Sequence, residues 1–185
     1  MNDLFRAAGQ LQEFCDAQGW RSCFIGGLAV QRWGEPRLTG DVDVTLLAGF
    51  GNEAAFVDPL LAAYEGRIPD ARVFALRHRV LLLRAAGGAG IDISLGALPF
   101  EESVVRRATA ASFGPEVELR TCSAEDLIVL KLFASRPLDL HDAEGVAIRQ
   151  TGKLDWAYME EQLRPLAEVK ERPEMMEALA RLKQL

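Results

Sequence analysis

Histidine and cysteine are scarce in this chain: two His, at 78 and 141, and three Cys, at 15, 23 and 122, none at short paired spacing. That scarcity argues against a zinc site built on Cys and His ligands. An odd number of cysteines is also a poor basis for a disulfide framework and suits a reducing compartment. Positive charge is in deficit as well, with 21 Lys and Arg against 27 Asp and Glu and a formal net charge of -6. A broad phosphate-neutralising surface needs clustered basic residues, so nucleic-acid binding of that kind is not expected. Arg72, Arg77, Arg79 and Arg84 with Lys131 and Arg136 leave a local basic groove open, beside the plainer reading of scattered, solvated arginines. No apolar run approaches the roughly 20 residues that span a bilayer, and the first six residues lack the basic-then-apolar order of a secretion signal. No membrane is expected as a partner, and the cytoplasm is the expected location.

What is present is the composition of a globular protein: 49% hydrophobic and 26% charged over 185 residues, enough for one substantial core. Leu4, Phe5, Ala8, Leu11 and Phe14 recur at helical spacing and predict a helix over 3–18, stopped by Gly19. Ser22-Cys23-Phe24-Ile25 reads as a short strand, Gly26-Gly27 as a turn, and 28–33 as a helix. A loop at 34–40 leads into Asp41-Val42-Asp43-Val44-Thr45-Leu46-Leu47, which alternates as a strand does. A helix is expected around 52–64, then a hairpin of 80–84 and 91–95 joined through the glycine-rich 85–90.

A short helix over 100–109 and a last strand at 117–120 follow. Ser123-Ala124-Glu125-Asp126 resembles a capping box opening an apolar helix that runs through Ala134 and is closed by Pro137. The rest reads as about three helices, with Pro165 and Pro173 as breaks. The expected fold class is α/β (α+β): a mixed β-sheet core flanked by helices over 1–122, and a C-terminal helical portion over 123–185 packed on it as a single compact unit.

Three features stand in order: Gly26-Gly27 between a strand and a helix, Asp41-Val42-Asp43 on a strand, and Ile91-Asp92-Ile93 on a later strand. Singly each has a plain reading, as a turn or as solvent-facing polar residues. Together they fit phosphoryl transfer, which needs divalent cations between closely spaced carboxylates. Alternation along a strand projects Asp41 and Asp43 to one face while Val42 and Val44 enter the core. Asp92, between two isoleucines, is the expected third acid on a neighbouring strand. Three carboxylates repel one another without a cation, so magnesium, or manganese, is expected as part of the site. Glycines at 26 and 27 let the backbone and the following helix N-terminus approach a phosphate.

This ordered set resembles the nucleotidyltransferase superfamily related to DNA polymerase beta. More narrowly, Ile25-Gly26-Gly27-Leu28-Ala29-Val30 followed by Arg37-Leu38-Thr39-Gly40-Asp41-Val42-Asp43 is similar to the AbiEii-type nucleotidyltransferases of type IV toxin-antitoxin systems. Lys131, Arg136 and Asp139-Leu140-His141-Asp142 resemble that family's Lys and Arg-Asp-x-x-Asp region, although Pro137 and Leu138 separate Arg136 from Asp139. The resemblance implies a nucleotidyltransferase core in which Asp41, Asp43 and Asp92 are catalytic and metal-binding. It implies a nucleoside triphosphate substrate bound by Gly26, Gly27, Arg37, Thr39 and Lys131. It further implies an RNA or protein acceptor and a cognate antitoxin.

The plainer readings remain beside these: a snorkelling lysine at 131, helix-start carboxylates at 139 and 142, and a structural His141. Two other readings of the whole are a small-molecule, aminoglycoside-type nucleotidyltransferase and a non-catalytic nucleotide-binding or antitoxin-like module.

Overall fold

A computed structural model describes residues 2–115 and 117–185. Met1, where the reading of the N-terminus begins, and Glu116 lie outside the described residues. Two compact units are distinguished, one formed by the chain up to Leu28 together with Leu38–Cys122, the other by Ala29–Arg37 together with Ser123–Leu185.

The first unit is built on a seven-stranded mixed sheet. Its strands are β1 (Ser22–Phe24), β2 (Asp41–Leu47), β3 (Glu65–Gly66), β4 (Val80–Arg84), β5 (Gly90–Gly96), β6 (Thr109–Ser112) and β7 (Glu118–Thr121), in the order β3-β4-β5-β2-β1-β7-β6. The central pair, β2 and β5, is parallel, while β4 and β5 form the expected antiparallel hairpin, Arg84 opposite Gly90. Alternation divides the sheet into two faces. Val42, Val44, Leu46, Ile91, Ile93, Leu95, Leu81 and Leu83 are all buried. They join Leu4, Ala8 and Leu11 of α1 (Asn2–Ala17) and Val57 and Leu60 of α3 (Ala54–Ala63) in one core. Asp41, Asp43 and Asp92 therefore project from the opposite face.

Several short elements were not expected from the sequence. β3 has two residues, one of them glycine. α4 (Ala71–His78) buries only Ala71 and Ala75, so it carries no apolar stripe, and it is bounded by left-handed Asp70 and Arg79. β6, Thr-Ala-Ala-Ser, has little strand propensity and follows from pairing with β7. The expected helix at 100–109 is α5 (Pro99–Arg107).

α2 (Gly26–Trp33) leads from the first unit into the second, which is helical: α6 (Ala124–Ala134), α7 (Pro137–Arg149), α8 (Trp156–Val169) and α9 (Glu174–Leu182). Ser123 caps α6, accepting from Asp126 N–H at 3.1 Å, as its position ahead of an apolar run predicts. Two proline expectations need correction. Left-handed Ser135 ends α6, and Pro137 instead opens α7 at its first turn, where a missing N–H costs nothing. Pro165 does not break a helix but lies within α8, on its exposed side, where water can satisfy the released carbonyl.

All three cysteines are buried thiols, and burial pushes the Cys15 thiol up to about 11. The native protein is therefore expected to resist a thiol reagent such as dithionitrobenzoate at pH 8, with three equivalents titrating only after denaturation. Rapid labelling of Cys15 under native conditions would contradict its placement.

Candidate active site

The carboxylate set is assembled by strand register. On the parallel pair β2 and β5, Asp43 stands opposite Asp92, and Asp41 stands opposite Gly90. The first two therefore share one transverse row, and Asp41 lies one row along the same face. Asp43 and Asp92 are partly buried, and Asp41 is exposed.

Gly26 makes room for Asp43, and Gly27 for Thr39. Gly26 takes a left-handed φ of +53°, and a Cβ there would stand 2.5 Å from Asp43 Cγ and 2.8 Å from Asp43 Cβ. A Cβ on Gly27 would stand 2.7 Å from Thr39 Cβ. Gly27 N–H donates to Asp43 Oδ2 at 3.4 Å, and Thr39 Oγ1 donates to the Asp41 carbonyl at 3.3 Å. Gly26, Gly27, Thr39, Asp41, Asp43 and Asp92 thus form one neighbourhood. Gly26→Ala is expected to lower stability by about 1–2 kcal/mol from the left-handed backbone alone, and by more because its methyl group meets Asp43. Urea denaturation checks this, and an unchanged midpoint would contradict the contact.

Arg67 is the member of this neighbourhood that sequence reasoning missed. Its Nη2 donates to Asp92 Oδ1 at 2.6 Å and its Nη1 to Asp41 Oδ1 at 3.3 Å. Nothing in Glu65-Gly66-Arg67-Ile68 signals this, because the contact depends on strand order. Burial lifts the Asp92 carboxyl above its ordinary value; the Arg67 guanidinium opposes the lift and the Asp41 charge adds to it.

Among the described residues, no three or more His, Cys, Asp or Glu side chains are gathered closely enough to hold a metal ion as they stand. The donor chemistry nevertheless fits a hard cation. It is all carboxylate oxygen, and a guanidinium already provides positive charge between Asp41 and Asp92.

The other predicted residues, Arg37 and Lys131, belong to the second unit. Lys131 is buried in α6, and its Nζ donates to Asp139 Oδ1 and Asp142 Oδ2, each at 2.8 Å. Asp142 also receives Arg37 Nε at 2.8 Å and Nη2 at 2.9 Å, and Asp139 receives Arg136 Nε at 2.5 Å. Asp139 and Asp142 do share a helix face, as their spacing predicts. Burial by itself would raise both carboxyls, yet the hydrogen bonds and charges of Lys131, Arg136 and Arg37 hold them below the usual range. His141, between them, is exposed. Of the candidate basic groove, Arg72 pairs with Asp58 and Arg79 with Glu53, so neither is an uncommitted cation.

No family model matches the chain, and no curated protein matches it by sequence. Solved structures match it in fold. An antigenic nucleotidyltransferase-like protein from Paracoccidioides brasiliensis is 16% identical, with 97% of this chain and 93% of that chain covered and a TM-score of 0.53. The antibiotic-resistance factor ANT(2'')-Ia is 14% identical, with 99% and 90% covered and a TM-score of 0.50. At such identities the likeness concerns architecture, and in architecture this chain has a nucleotidyltransferase-like fold.

Proposed function

We propose that the chain is a divalent-metal-dependent nucleotidyltransferase, moving a nucleoside monophosphate from a nucleoside triphosphate to an acceptor and releasing pyrophosphate. The observation that carries this reading is the register of Asp43 with Asp92 on adjacent parallel strands, with Asp41 on the same face. Fold likeness to nucleotidyltransferase-like proteins supports it.

In this reading an acceptor hydroxyl oxygen bonds to the α-phosphorus, the bond from that phosphorus to the bridging oxygen breaks, and the pair leaves with pyrophosphate. Asp92, its carboxyl lifted by burial, takes the hydroxyl proton. Asp41, Asp43 and Asp92 would hold magnesium or manganese, which when bound neutralises triphosphate charge and activates the acceptor. Gly26, Gly27 and Thr39, beside Asp43, are the proposed nucleotide-binding residues of the first unit, and Arg37 and Lys131 are proposed, by the resemblance, as nucleotide contacts of the second. Arg37 and Lys131 already make ion pairs with Asp142, so any phosphate contact of theirs is an additional one.

Two acceptor classes remain distinct proposals. The AbiEii-like motifs favour RNA or protein, with a cognate antitoxin as partner. The net charge of -6 and a fold neighbour described as an antibiotic-resistance factor favour a small cationic acceptor. The test is incubation with α-labelled triphosphates, magnesium, manganese or a chelator, and a panel of total RNA, soluble protein and aminoglycosides. Metal-dependent labelling of RNA or protein supports the first class, and labelling of an aminoglycoside the second. Tight triphosphate binding with no labelled product supports a non-catalytic binding module, and neither binding nor transfer ends the reading.

A further inference from the structure

Arg67 has no part in the steps above, yet its position is built by the sheet. It follows β3 directly, and its N–H donates to the Leu82 carbonyl at 2.9 Å, extending the β3–β4 ladder by one residue. Leu82 pairs with Asp92, and Asp92 with Asp43. The backbone of Arg67 therefore stands in the same transverse row as two of the carboxylates, and its side chain reaches across Leu82 to meet Asp92 and Asp41. Gly90, opposite Asp41, keeps the path clear: a Cβ there would overlap Arg67 Nη1 and stand 3.1 Å from Asp41 Cγ. Only a quarter of the Arg67 side chain is exposed, so the guanidinium is seated rather than draped over the surface.

One fork of N–H donors thus engages Oδ1 of both Asp41 and Asp92. Those carboxylates belong to the set assigned above to the divalent cation, and a guanidinium and a metal ion compete for the same lone pairs. We infer that Arg67 is a resident counter-ion of Asp41 and Asp92 and that divalent binding proceeds by exchange, the guanidinium leaving these two carboxylates as the ion takes them. The inference rests on the metal-dependent reading of the site.

Two properties follow. Arg67 holds Asp41 and Asp92 side by side in the metal-free protein, where their charges would otherwise repel. It also weakens the binding of bare metal, because each ion must first displace two charge-assisted hydrogen bonds.

Manganese titration of the full chain, followed by the electron paramagnetic resonance of unbound Mn2+, tests this without any activity measurement. Arg67→Gln removes the charge and keeps much of the side-chain length. It is expected to bind Mn2+ about tenfold more tightly than the wild type, a difference of about 1.4 kcal/mol. Arg67→Lys keeps a charge but loses the two-pronged geometry, and is expected to fall between them. Should Arg67→Gln fail the far-UV circular dichroism check of folding, the shift in Arg67→Lys decides the matter. Equal or weaker Mn2+ binding in the variants, with clear binding to the wild type, overturns the exchange and leaves the metal site standing. No Mn2+ binding to the wild type or to any variant at millimolar concentration overturns both.

Discussion

Asp43→Asn is expected to reduce nucleotide transfer by about 10^3-fold or more while leaving the fold in place. Asn preserves the shape that fits the space left by Gly26, and its side-chain oxygen can still accept from Gly27 N–H. What it removes is one negative charge from the row shared with Asp92. Metal-assisted charge stabilisation is worth several kcal/mol, and each loss of about 1.36 kcal/mol is tenfold in rate. The measurement is transfer rate at saturating triphosphate, alongside a urea denaturation curve. Loss of transfer with unaltered stability supports a role in the chemistry, whereas undiminished transfer would remove Asp43 from it. Asp41→Asn and Asp92→Asn extend the same comparison across the set.

The second large effect is on stability. Lys131→Met is expected to destabilise the protein by about 3–5 kcal/mol, the usual cost of breaking a buried ion pair from one side. The Lys131, Asp139 and Asp142 side chains are all nearly inaccessible to solvent. Met reaches to the position of lysine Cε and lacks only the ammonium, so the loss reports chiefly the removal of the cation shared by two carboxylates that then keep one arginine each. The pH dependence gives an independent check. Asp139 and Asp142 have lowered pKa values in the folded protein. Their contribution is therefore fully present above the unfolded value of about 3.9, and it is lost as pH falls through the folded values. Wild-type stability should decline on acidification below about pH 4 for this reason. The gap between wild type and Lys131→Met should narrow there too, since protonated aspartates no longer need the ammonium. A gap unchanged between pH 7 and pH 3, or a loss below about 1 kcal/mol at neutral pH, would contradict a buried ionic cluster. Triphosphate affinity measured on the same variant tests the proposed nucleotide contact separately.

The contrast between the two acidic groupings explains why they invite different predictions. Asp139 and Asp142 are buried and heavily compensated, with a lysine between them and an arginine on each. Asp41, Asp43 and Asp92 face outward from the sheet, and Asp41 and Asp92 share the guanidinium of Arg67. The first grouping is expected to act as an internal staple, and the second, in the proposed reading, to exchange its counter-ion for a divalent cation.

Residue order alone determined the elements that depend on short-range chemistry. Alternation of Asp41, Val42, Asp43 and Val44 specified both the strand and the outward face of the acids, because successive side chains must point to opposite sides. The glycine-rich stretch 85–90 specified the hairpin, and Ser123 before an apolar run specified the start of α6. The mixed sheet flanked by helices followed from that pattern of elements.

Tertiary structure alone decided what depends on pairing between distant segments. The register that sets Asp43 against Asp92 joins residues far apart in the chain. β3 and β6 form because partners are present rather than from their own propensity. The duty of Lys131 in gathering Asp139 and Asp142 could not be separated by local pattern from a snorkelling lysine, since the two differ only in what lies around the ammonium. Arg67 is the clearest case. Sequence spacing carries no trace of its reach to Asp41 and Asp92, because that reach is a property of strand order across the sheet.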